Sequence, residues 1–252
     1  MKTGKTFNKP LIGTIFSMGA PQVAEMISSS GFDWVMIDME HSTLSLDSVQ
    51  VALQILGSNI LKIVRVPGND EIWIKRVLDT GCDGILVPMV NSFEDALKVV
   101  RYSKYPTLGK RSVGVARAHK FGSTFTEYVN NANDDQIVMI QIEHKDGVKN
   151  IDSILTVKGI DSIFIGPYDL SASMGYMGQV DHPEVRAAID LIKMKCKKAG
   201  IPFGIFGSTP ESLEKDMADG CTFPLCGVDS SILSGSYKEL AHSLKINLNR
   251  KI

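Results

Sequence analysis

The sequence predicts an α/β protein built as a single closed (β/α)8 barrel, a TIM barrel, and three observations carry that prediction. Short apolar runs rich in β-branched residues alternate with amphipathic helical segments along the whole chain. Eight such runs and eight main helices fit into 252 residues, the usual size of this barrel. No linker or low-complexity segment divides the chain, so residues 1–252 are expected to form one domain.

Four strand–helix repeats make up the first half of the chain. The first apolar run follows several lysines, as in a secretory signal, but it is short and contains Gly13, so we interpret it as a strand. Gly81 ends the third helix, and Ser92 with Asp95 forms a variant capping box before the fourth. The predicted strands are 11–17, 34–38, 62–66 and 84–90, and the predicted helices are 21–30, 46–56, 71–80 and 92–102.

A long connection, residues 105–135, interrupts the alternation before the second half. It is locally basic, and a short helix is expected near residues 125–129. Its length is typical of a functional loop or lid, and its composition equally fits a solvated basic loop. Beyond it the predicted strands are 137–143, 161–165, 203–206 and 221–228, and the predicted helices are 148–155, 183–198, 210–218 and a last one from Ser230 onward.

The composition excludes several classes of partner. Hydrophobic residues make up 44% and charged residues 22%, and the net charge of −1 gives no reason to expect binding to nucleic acid or to an anionic membrane surface. No apolar run approaches the roughly 20 residues that a membrane helix needs. The four cysteines lie in or beside apolar segments without metal-type spacing, which predicts buried thiols and a cytoplasmic location.

Two acidic residues follow neighbouring predicted strands and are the first candidates for a site. Glu143, with Gln141 just before it, ends the strand at 137–143, and Asp169 follows the strand at 161–165. Parallel strands gather ligand-binding groups at their carboxyl ends, and two carboxylates there suit a hard divalent cation. A helix cap at Glu143 and a turn residue at Asp169 are the alternative interpretation, and the local sequence leaves both open.

Other polar residues are expected on the same rim of the barrel. Arg65 can donate a fork of hydrogen bonds to a carboxylate or enolate oxygen, and His41 is suited to proton transfer near neutral pH. Taken singly, a structural ion pair for Arg65 and a satisfied polar group for His41 are equally good interpretations. The remaining rim residues are Asp38, Glu40, Pro88, Met89, Gly204 to Gly207, Gly227 and Asp229.

Four segments resemble one known family in both residue type and spacing. They are residues 32–42, which contain Asp38-Met39-Glu40-His41, then 86–90, then 141–143, and then 164–171 with Met174-Gly175 behind it. In these segments the chain resembles the HpcH/HpaI aldolases, a family of metal-dependent class II pyruvate aldolases. The resemblance runs from Gly13 to Asp229.

The resemblance implies a reaction and a set of roles. Pyruvate, reacting as its metal-bound enolate, joins or leaves an aldehyde, and the full substrate is a 4-hydroxy-2-oxo acid or a 2-dehydro-3-deoxy sugar acid. No Schiff-base lysine takes part. The implied roles are Glu143 and Asp169 as ligands of Mg²⁺, Mn²⁺ or Co²⁺, Gln141 and Arg65 as groups orienting pyruvate, His41 as acid–base residue, Asp38 and Asp79 as its carboxylate partners, and the backbone at Tyr168 and Asp169 as the receptor of the pyruvate carboxylate.

Two residues depart from the pattern of that family. Tyr168 is bulkier than the residue expected between Pro167 and Asp169, and Phe206 stands where an aliphatic residue is common. Both are therefore candidate substrate-binding residues that reshape the pocket for the aldehyde.

The last helix bears on assembly. Leu233, Tyr237, Leu240 and Leu244 form an apolar stripe that needs a partner surface. That surface is either the chain's own barrel or a neighbouring subunit. The resemblance implies the second, in a homohexamer with exchanged C-terminal helices in which Asp79 reaches a neighbour's His41.

Three other functions remain possible at this point. A related barrel enzyme condenses a different 2-oxo acid, as in citrate synthesis. A phosphate-binding barrel would use Gly207-Ser208-Thr209 and Ser230 at helix N-termini as an anion cradle. A catalytically silent binding module is the third, because fold alone does not determine function.

Overall fold

Eight parallel strands close into one barrel in a computed structural model that describes residue 7 and residues 9–247. Each strand pairs with the next along the chain, and β8 pairs with β1. The strands are β1 (Gly13–Phe16), β2 (Trp34–Asp38), β3 (Leu61–Arg65), β4 (Gly84–Val87), β5 (Ile137–Ile142), β6 (Ser162–Ile165), β7 (Phe203–Gly207) and β8 (Phe223–Val228). The predicted fold class is confirmed, and every predicted strand is present with small differences at its ends.

The helices surround the barrel and begin at recognisable caps. Asp70, for example, accepts hydrogen bonds from the backbone N–H groups of Ile72 and Trp73 and so begins the third helix. The helices are α1 (Pro21–Ser29), α2 (Leu46–Leu56), α3 (Glu71–Asp79), α4 (Phe93–Ser103), α5 (Phe125–Asp135), α6 (Lys145–Lys149), α7 (Ile151–Ile154), α8 (Pro167–Ser173), α9 (Pro183–Ala199), α10 (Pro210–Ala218) and α11 (Asp229–Asn247), with a 3-10 segment at Arg117–Gly122.

Three helical predictions differ from the structure. The single helix expected at 148–155 is two short helices, α6 and α7, which meet at Asn150. The short helix expected at 125–129 continues to Asp135. The helix α8 was not predicted, because seven residues directly after a strand are too few to show a helical period.

Aromatic side chains fill the barrel at the amino ends of its strands. Trp34, at the start of β2, lies edge-on to Phe164 and Phe223, with ring centroids 6.2 and 5.7 Å away. The Trp34 indole donates a hydrogen bond to the carbonyl of Leu11 at 3.0 Å. A Cβ on Gly13 would lie 2.3 Å from the Trp34 ring, so only glycine fits beside it. This packing closes that end of the barrel and leaves the carboxyl ends of the strands as the place for a cavity.

The long connection lies at the closed end of the barrel. It follows α4 and precedes β5, so it joins elements at the amino ends of the strands. The buried His119 ring holds it together through the backbone of Gly114, at 2.7 Å, and of Gly122, at 3.0 Å. A lid over the rim of the same chain is therefore the wrong interpretation of this segment.

The last helix is anchored at its first residue and exposed beyond it. The Asp229 carboxylate accepts hydrogen bonds from the backbone N–H groups of Ser17 and Met18 at 2.9 and 3.0 Å. From residue 230 to residue 246 every side chain of α11 is exposed. Within the part of the chain that the structure describes, the apolar stripe is thus not covered by the chain's own barrel.

Two smaller observations complete the description. The four cysteines are free thiols; Cys82, Cys196 and Cys221 are buried, as the sequence predicted, whereas Cys226 is only half-buried. Within the described ranges, residue 7 and residues 9–247, no helix is long and apolar enough to cross a membrane.

Candidate active site

A cavity of about 270 Å³ opens at the carboxyl ends of the strands. Asp38, Arg65, Gln141 and Asp169 form its polar side, and His41 lies at its edge. The rest of the wall is mostly apolar, with Ile15, Met36, Phe164, Tyr168, Phe206, Leu225 and Val228. The cavity combines charged groups with a mostly apolar wall, as small-molecule sites usually do.

A buried ion pair between adjacent strands forms the base of the polar side. Asp38 ends β2 and lies opposite Arg65, which ends β3. The Arg65 Nε donates to Asp38 Oδ1 at 2.8 Å, and Nη2 donates to Oδ2 at 2.7 Å. Burial alone would raise the pKa of Asp38, but the hydrogen bond and charge of Arg65 outweigh it and hold that pKa below its ordinary value. Asp38 is therefore ionised and fixes the guanidinium plane.

The carboxylate beside the His41 ring is that of Glu40. Glu40 Oε2 lies 3.8 Å from His41 Nε2 and 3.3 Å from Arg65 Nη1. Asp38 meets His41 only through its backbone N–H, at 3.3 Å, because the carboxylate of Asp38 is engaged by Arg65. Within this chain, the structure thus brings Glu40 rather than Asp38 to the imidazole, and a catalytic role for Asp38 stays a prediction. The His41 side chain is 61% exposed and faces the cavity edge.

Glu40 is the rim residue whose charge state differs most from that of a free side chain. Burial raises the pKa of Glu40 to about 7, and the Arg65 charge offsets only part of that rise. The sequence placed Glu40 on the rim but assigned it no role. Its place in the segment Asp38-Met39-Glu40-His41 was the available signal for a role in the site. The burial of its side chain could not be read from the sequence.

The Glu143 side chain lies against Gly166, three residues before Asp169 in the chain. Glu143 Oε1 accepts a hydrogen bond from the backbone N–H of Met89 at 2.7 Å, and Oε2 accepts one from the Gln141 amide. A Cβ on Gly166 would lie 2.9 Å from Glu143 Oε2, so a larger residue would fill the space beside it. Burial raises the pKa of Glu143, and the negative charge of Asp169 raises it further. A carboxylate whose charged form is disfavoured by burial and by a second carboxylate suits a cation that both could share.

The residues on the polar side fit a divalent metal. Four carboxylates, those of Asp38, Glu40, Glu143 and Asp169, face one guanidinium, so negative charge is in excess. Among the described side chains, Glu40 Oε2 and Gln141 Oε1 are buried oxygens without a hydrogen-bond partner. A hard cation with bound waters matches both the charge and the oxygen donors.

A second acidic cluster is not a comparable site. Asp190, Asp216 and Asp219 come together between α9 and α10. The Lys193 ammonium lies among them, 3.0 Å from Asp190 Oδ1 and 2.8 Å from Asp216 Oδ1, and it also bonds Asp219. The three carboxylates therefore already share a cation that belongs to the chain.

Asp79 lies far from the rim of its own chain. It ends α3 at the amino ends of the strands, where its carboxylate accepts a hydrogen bond from Arg111 at 2.6 Å. The structure therefore does not bring Asp79 to the His41 of the same chain. Its encounter with a neighbour's His41 stays a prediction.

The anion cradle expected for a phosphate-binding barrel is already occupied by the chain. The Ser230 backbone N–H donates to Asp229 Oδ1 at 2.8 Å. The Thr209 hydroxyl accepts from the backbone N–H of Ser212 and caps α10. Neither helix start favours a phosphate group.

Known proteins similar to this chain share the fold over nearly its full length. A family model described as HpcH/HpaI aldolase/citrate lyase matches residues 14–235. The 4-hydroxy-2-oxo-heptane-1,7-dioate aldolase of Shigella flexneri is 38% identical over 236 residues, which are 92% of this chain and 88% of that protein. The hydroxypyruvate/pyruvate aldolase of Pseudomonas aeruginosa is 38% identical over 240 residues, 93% of this chain and 88% of that protein. The crystal structure of a HpcH/HpaI aldolase/citrate lyase family protein from Burkholderia cenocepacia J2315 has a TM-score of 0.90 at 29% identity and covers 97% of this chain and 96% of its own.

The raised pKa of Glu40 predicts a pH-dependent loss of stability in metal-free protein. Folded Glu40 keeps a proton that the unfolded chain releases above 4.5, so its contribution is complete below that pH and is lost as the pH rises through about 7. The Glu40→Gln side chain cannot ionise, so the variant does not lose unfolding free energy at this position as the pH rises. Between about pH 5 and about pH 8 the variant should gain about 1–3 kcal/mol of unfolding free energy relative to the wild type.

Denaturant unfolding in the presence of a chelator measures this difference. Glu25→Gln, at an exposed position of α1, is the control and should follow the wild type at both pH values. A difference between Glu40→Gln and wild type that does not change with pH would contradict a protonated Glu40.

Proposed function

Because this chain belongs to the HpcH/HpaI aldolase/citrate lyase family and is a carbon–carbon lyase, we propose that it joins and separates pyruvate and an aldehyde with the help of a divalent metal. Its substrate is a 4-hydroxy-2-oxo acid or a 2-dehydro-3-deoxy sugar acid. The observation that carries the proposal is the excess of carboxylates over cations beside the rim cavity. That arrangement suits a metal and a 2-oxo acid together.

Glu143 and Asp169 would hold the metal, which is Mg²⁺, Mn²⁺ or Co²⁺. They are the two carboxylates that no side-chain cation of the rim pairs directly, unlike Asp38 with its two hydrogen bonds from Arg65. When bound, such a cation acts as a Lewis acid that polarises the keto group of a 2-oxo acid and acidifies its C3 protons.

Arg65 supplies positive charge where the keto oxygen becomes negative. Asp38 takes two of the five guanidinium N–H groups, so the plane is fixed before substrate arrives and the other donors remain. A preorganised donor of this kind lowers the barrier because it needs no reorientation during the reaction. The Gln141 amide, which lines the same cavity, orients the second oxygen of the 2-oxo acid.

His41 handles the proton of the aldol hydroxyl. In cleavage, the C4 hydroxyl gives its proton to the imidazole and the O–H electrons form the aldehyde C=O bond. The C3–C4 bond breaks, its electrons form a C2=C3 double bond, and negative charge moves to the keto oxygen as the aldehyde leaves. Glu40, whose carboxyl group lies 3.8 Å away, stabilises the imidazolium when it is ionised. The backbone at Tyr168 and Asp169, in the first turn of α8, receives the pyruvate carboxylate.

The exposed α11 supports an oligomeric enzyme. A helix of 19 residues with an unburied apolar stripe is stable only when that stripe is covered. We propose a homohexamer in which α11 packs on a neighbouring subunit and Asp79 reaches that neighbour's His41. The free cysteines fit a cytoplasmic enzyme that works as one domain over residues 1–252.

Removal of the proposed metal ligands should abolish both metal binding and turnover. We expect Glu143→Gln and Asp169→Asn to lose the calorimetric signal of Mn²⁺ binding and the pyruvate released from a 4-hydroxy-2-oxo acid. Asp190→Asn, in the cluster around Lys193, is the matched control and should keep both. Full activity in either site variant would refute the assignment, and CoA release from acetyl-CoA with oxaloacetate would instead indicate citrate synthesis.

Arg65→Lys should lower kcat on the order of 10²-fold, because the bidentate contact with Asp38 and the aligned donors are lost together. Arg186→Lys, which alters another arginine–aspartate pair 3.2 Å apart, is the control for a purely structural effect. If Arg65→Lys lowers the melting temperature while kcat stays intact, Arg65 is a structural ion pair.

A charge placed on the stripe of α11 should dissociate the assembly. We expect Leu240→Asp to reduce the mass measured by light scattering from six copies of the 27.5 kDa chain and to reduce activity with it. His242→Asp lies on the opposite side of the same helix and should leave the mass unchanged. A fully active wild-type monomer would refute both the exchange and the shared site.

A further inference from the structure

Two cavities on the rim are separated by a pair of aromatic rings. The active-site cavity and a second one of about 90 Å³ share only Pro167, Tyr168 and Phe206 among their lining residues. The ring centroids of Tyr168 and Phe206 are 6.0 Å apart, at an angle of 54°. The second cavity continues toward α9 and α10, where Arg186 lies.

The two rings are held by different elements, and one of them is tied to the proposed chemistry. Tyr168 is the second residue of α8, directly before Asp169, so the same turn that places the proposed metal ligand also places this ring. Phe206 belongs to β7 and is half-buried. Among the described residues the Tyr168 hydroxyl has no hydrogen-bond partner and Phe206 has no polar side-chain group, so packing sets the separation of the two rings.

The wall on the active-site side offers no free positive charge within the part of the chain that the structure describes. Arg65 is engaged by Asp38 and Glu40, and the partly exposed His41 lies beside Glu40. Arg186 lies beyond the rings and pairs with Asp216 at 3.2 Å. A carboxylate at the far end of an aldehyde would therefore rest against aromatic carbon without a counter-ion, which is costly.

We propose that Tyr168 and Phe206 restrict the acceptor to short aldehydes without a distal negative charge. The rings close the passage to the second cavity, so a longer acceptor meets them end-on. The proposal rests on the proposed aldolase function, because it concerns the second substrate of that reaction.

Acceptor preference tests the proposal directly. The probes are propanal, pentanal and succinic semialdehyde, each added to pyruvate by the wild-type enzyme with Mn²⁺, and kcat/KM is measured for each. Pentanal and succinic semialdehyde are close in length and differ in the terminal carboxylate. We expect kcat/KM to decrease from propanal to pentanal to succinic semialdehyde. The value for succinic semialdehyde should be about tenfold below that for pentanal because of its charge.

Variants of the two rings should relax this order. Phe206→Leu keeps an apolar core residue, and Tyr168→Ala removes the larger ring. In each, kcat/KM for pentanal relative to propanal should rise about tenfold. Met177→Ala, at an 84% exposed position on the connection between α8 and α9, is the control and should keep the wild-type ratio.

Arg186→Gln, added to Phe206→Leu, separates length from charge. It should reduce the rate with succinic semialdehyde and leave the rate with pentanal unchanged. A wild-type preference for succinic semialdehyde over pentanal, or unchanged ratios in both ring variants, would overturn the proposal.

Deuterium exchange at C3 of pyruvate distinguishes this failure from failure of the proposed function. The exchange needs no aldehyde and reports on pyruvate activation alone. Its absence in the wild type would refute the aldolase proposal, whereas normal exchange with an unrestricted acceptor range would refute only the role of the rings. Should Tyr168→Ala not fold, as judged by circular dichroism, Phe206→Leu decides the outcome.

Discussion

The buried pair of Asp38 and Arg65 is the interaction on which the rest of the rim depends. The two residues face each other at the ends of adjacent strands, so the register of the sheet itself brings them together. Replacing such a pair with apolar residues is often neutral for stability, and its value lies in holding a particular geometry. Here the pair fixes the Arg65 guanidinium. The Glu40 carboxyl group contacts this guanidinium and also lies beside the His41 ring. A chain of charged contacts thus extends from the sheet to the cavity edge.

That chain of contacts explains why the site is built from opposed charges. The pKa of Glu40 is raised because burial disfavours its charged form more than the positive charge of Arg65 stabilises it. Burial and the negative charge of Asp169 also raise the pKa of Glu143. A cation would relieve both, since it stabilises the ionised form of every carboxylate around it. Binding of a metal at the rim would therefore be coupled to loss of the proton from Glu40.

Much of the fold was readable from the sequence, for a physical reason. Strands of a parallel barrel are buried on both faces, so they appear as continuous apolar runs such as 137–140 and 163–165. The same topology places Glu143 and Asp169 at the carboxyl ends of the neighbouring strands β5 and β6. What the sequence did not reveal depends on side-chain packing. The partner of Asp38, the burial of Glu40 and the enclosure of Lys193 by three carboxylates all involve residues chosen by three-dimensional proximity.

The contacts of Asp229 join α11 directly to the wall of the cavity. At 1.5 Å per residue, its 19 residues extend for about 28 Å from a fulcrum at Asp229. The fulcrum is bonded to Ser17, and Ser17 and Ser230 both line the cavity. A surface that packs on the far end of the helix therefore contacts an element whose first residue is bonded to the cavity wall. The pocket wall at these two serines is thus joined, through the Asp229 contacts, to the helix that presents the exposed apolar stripe.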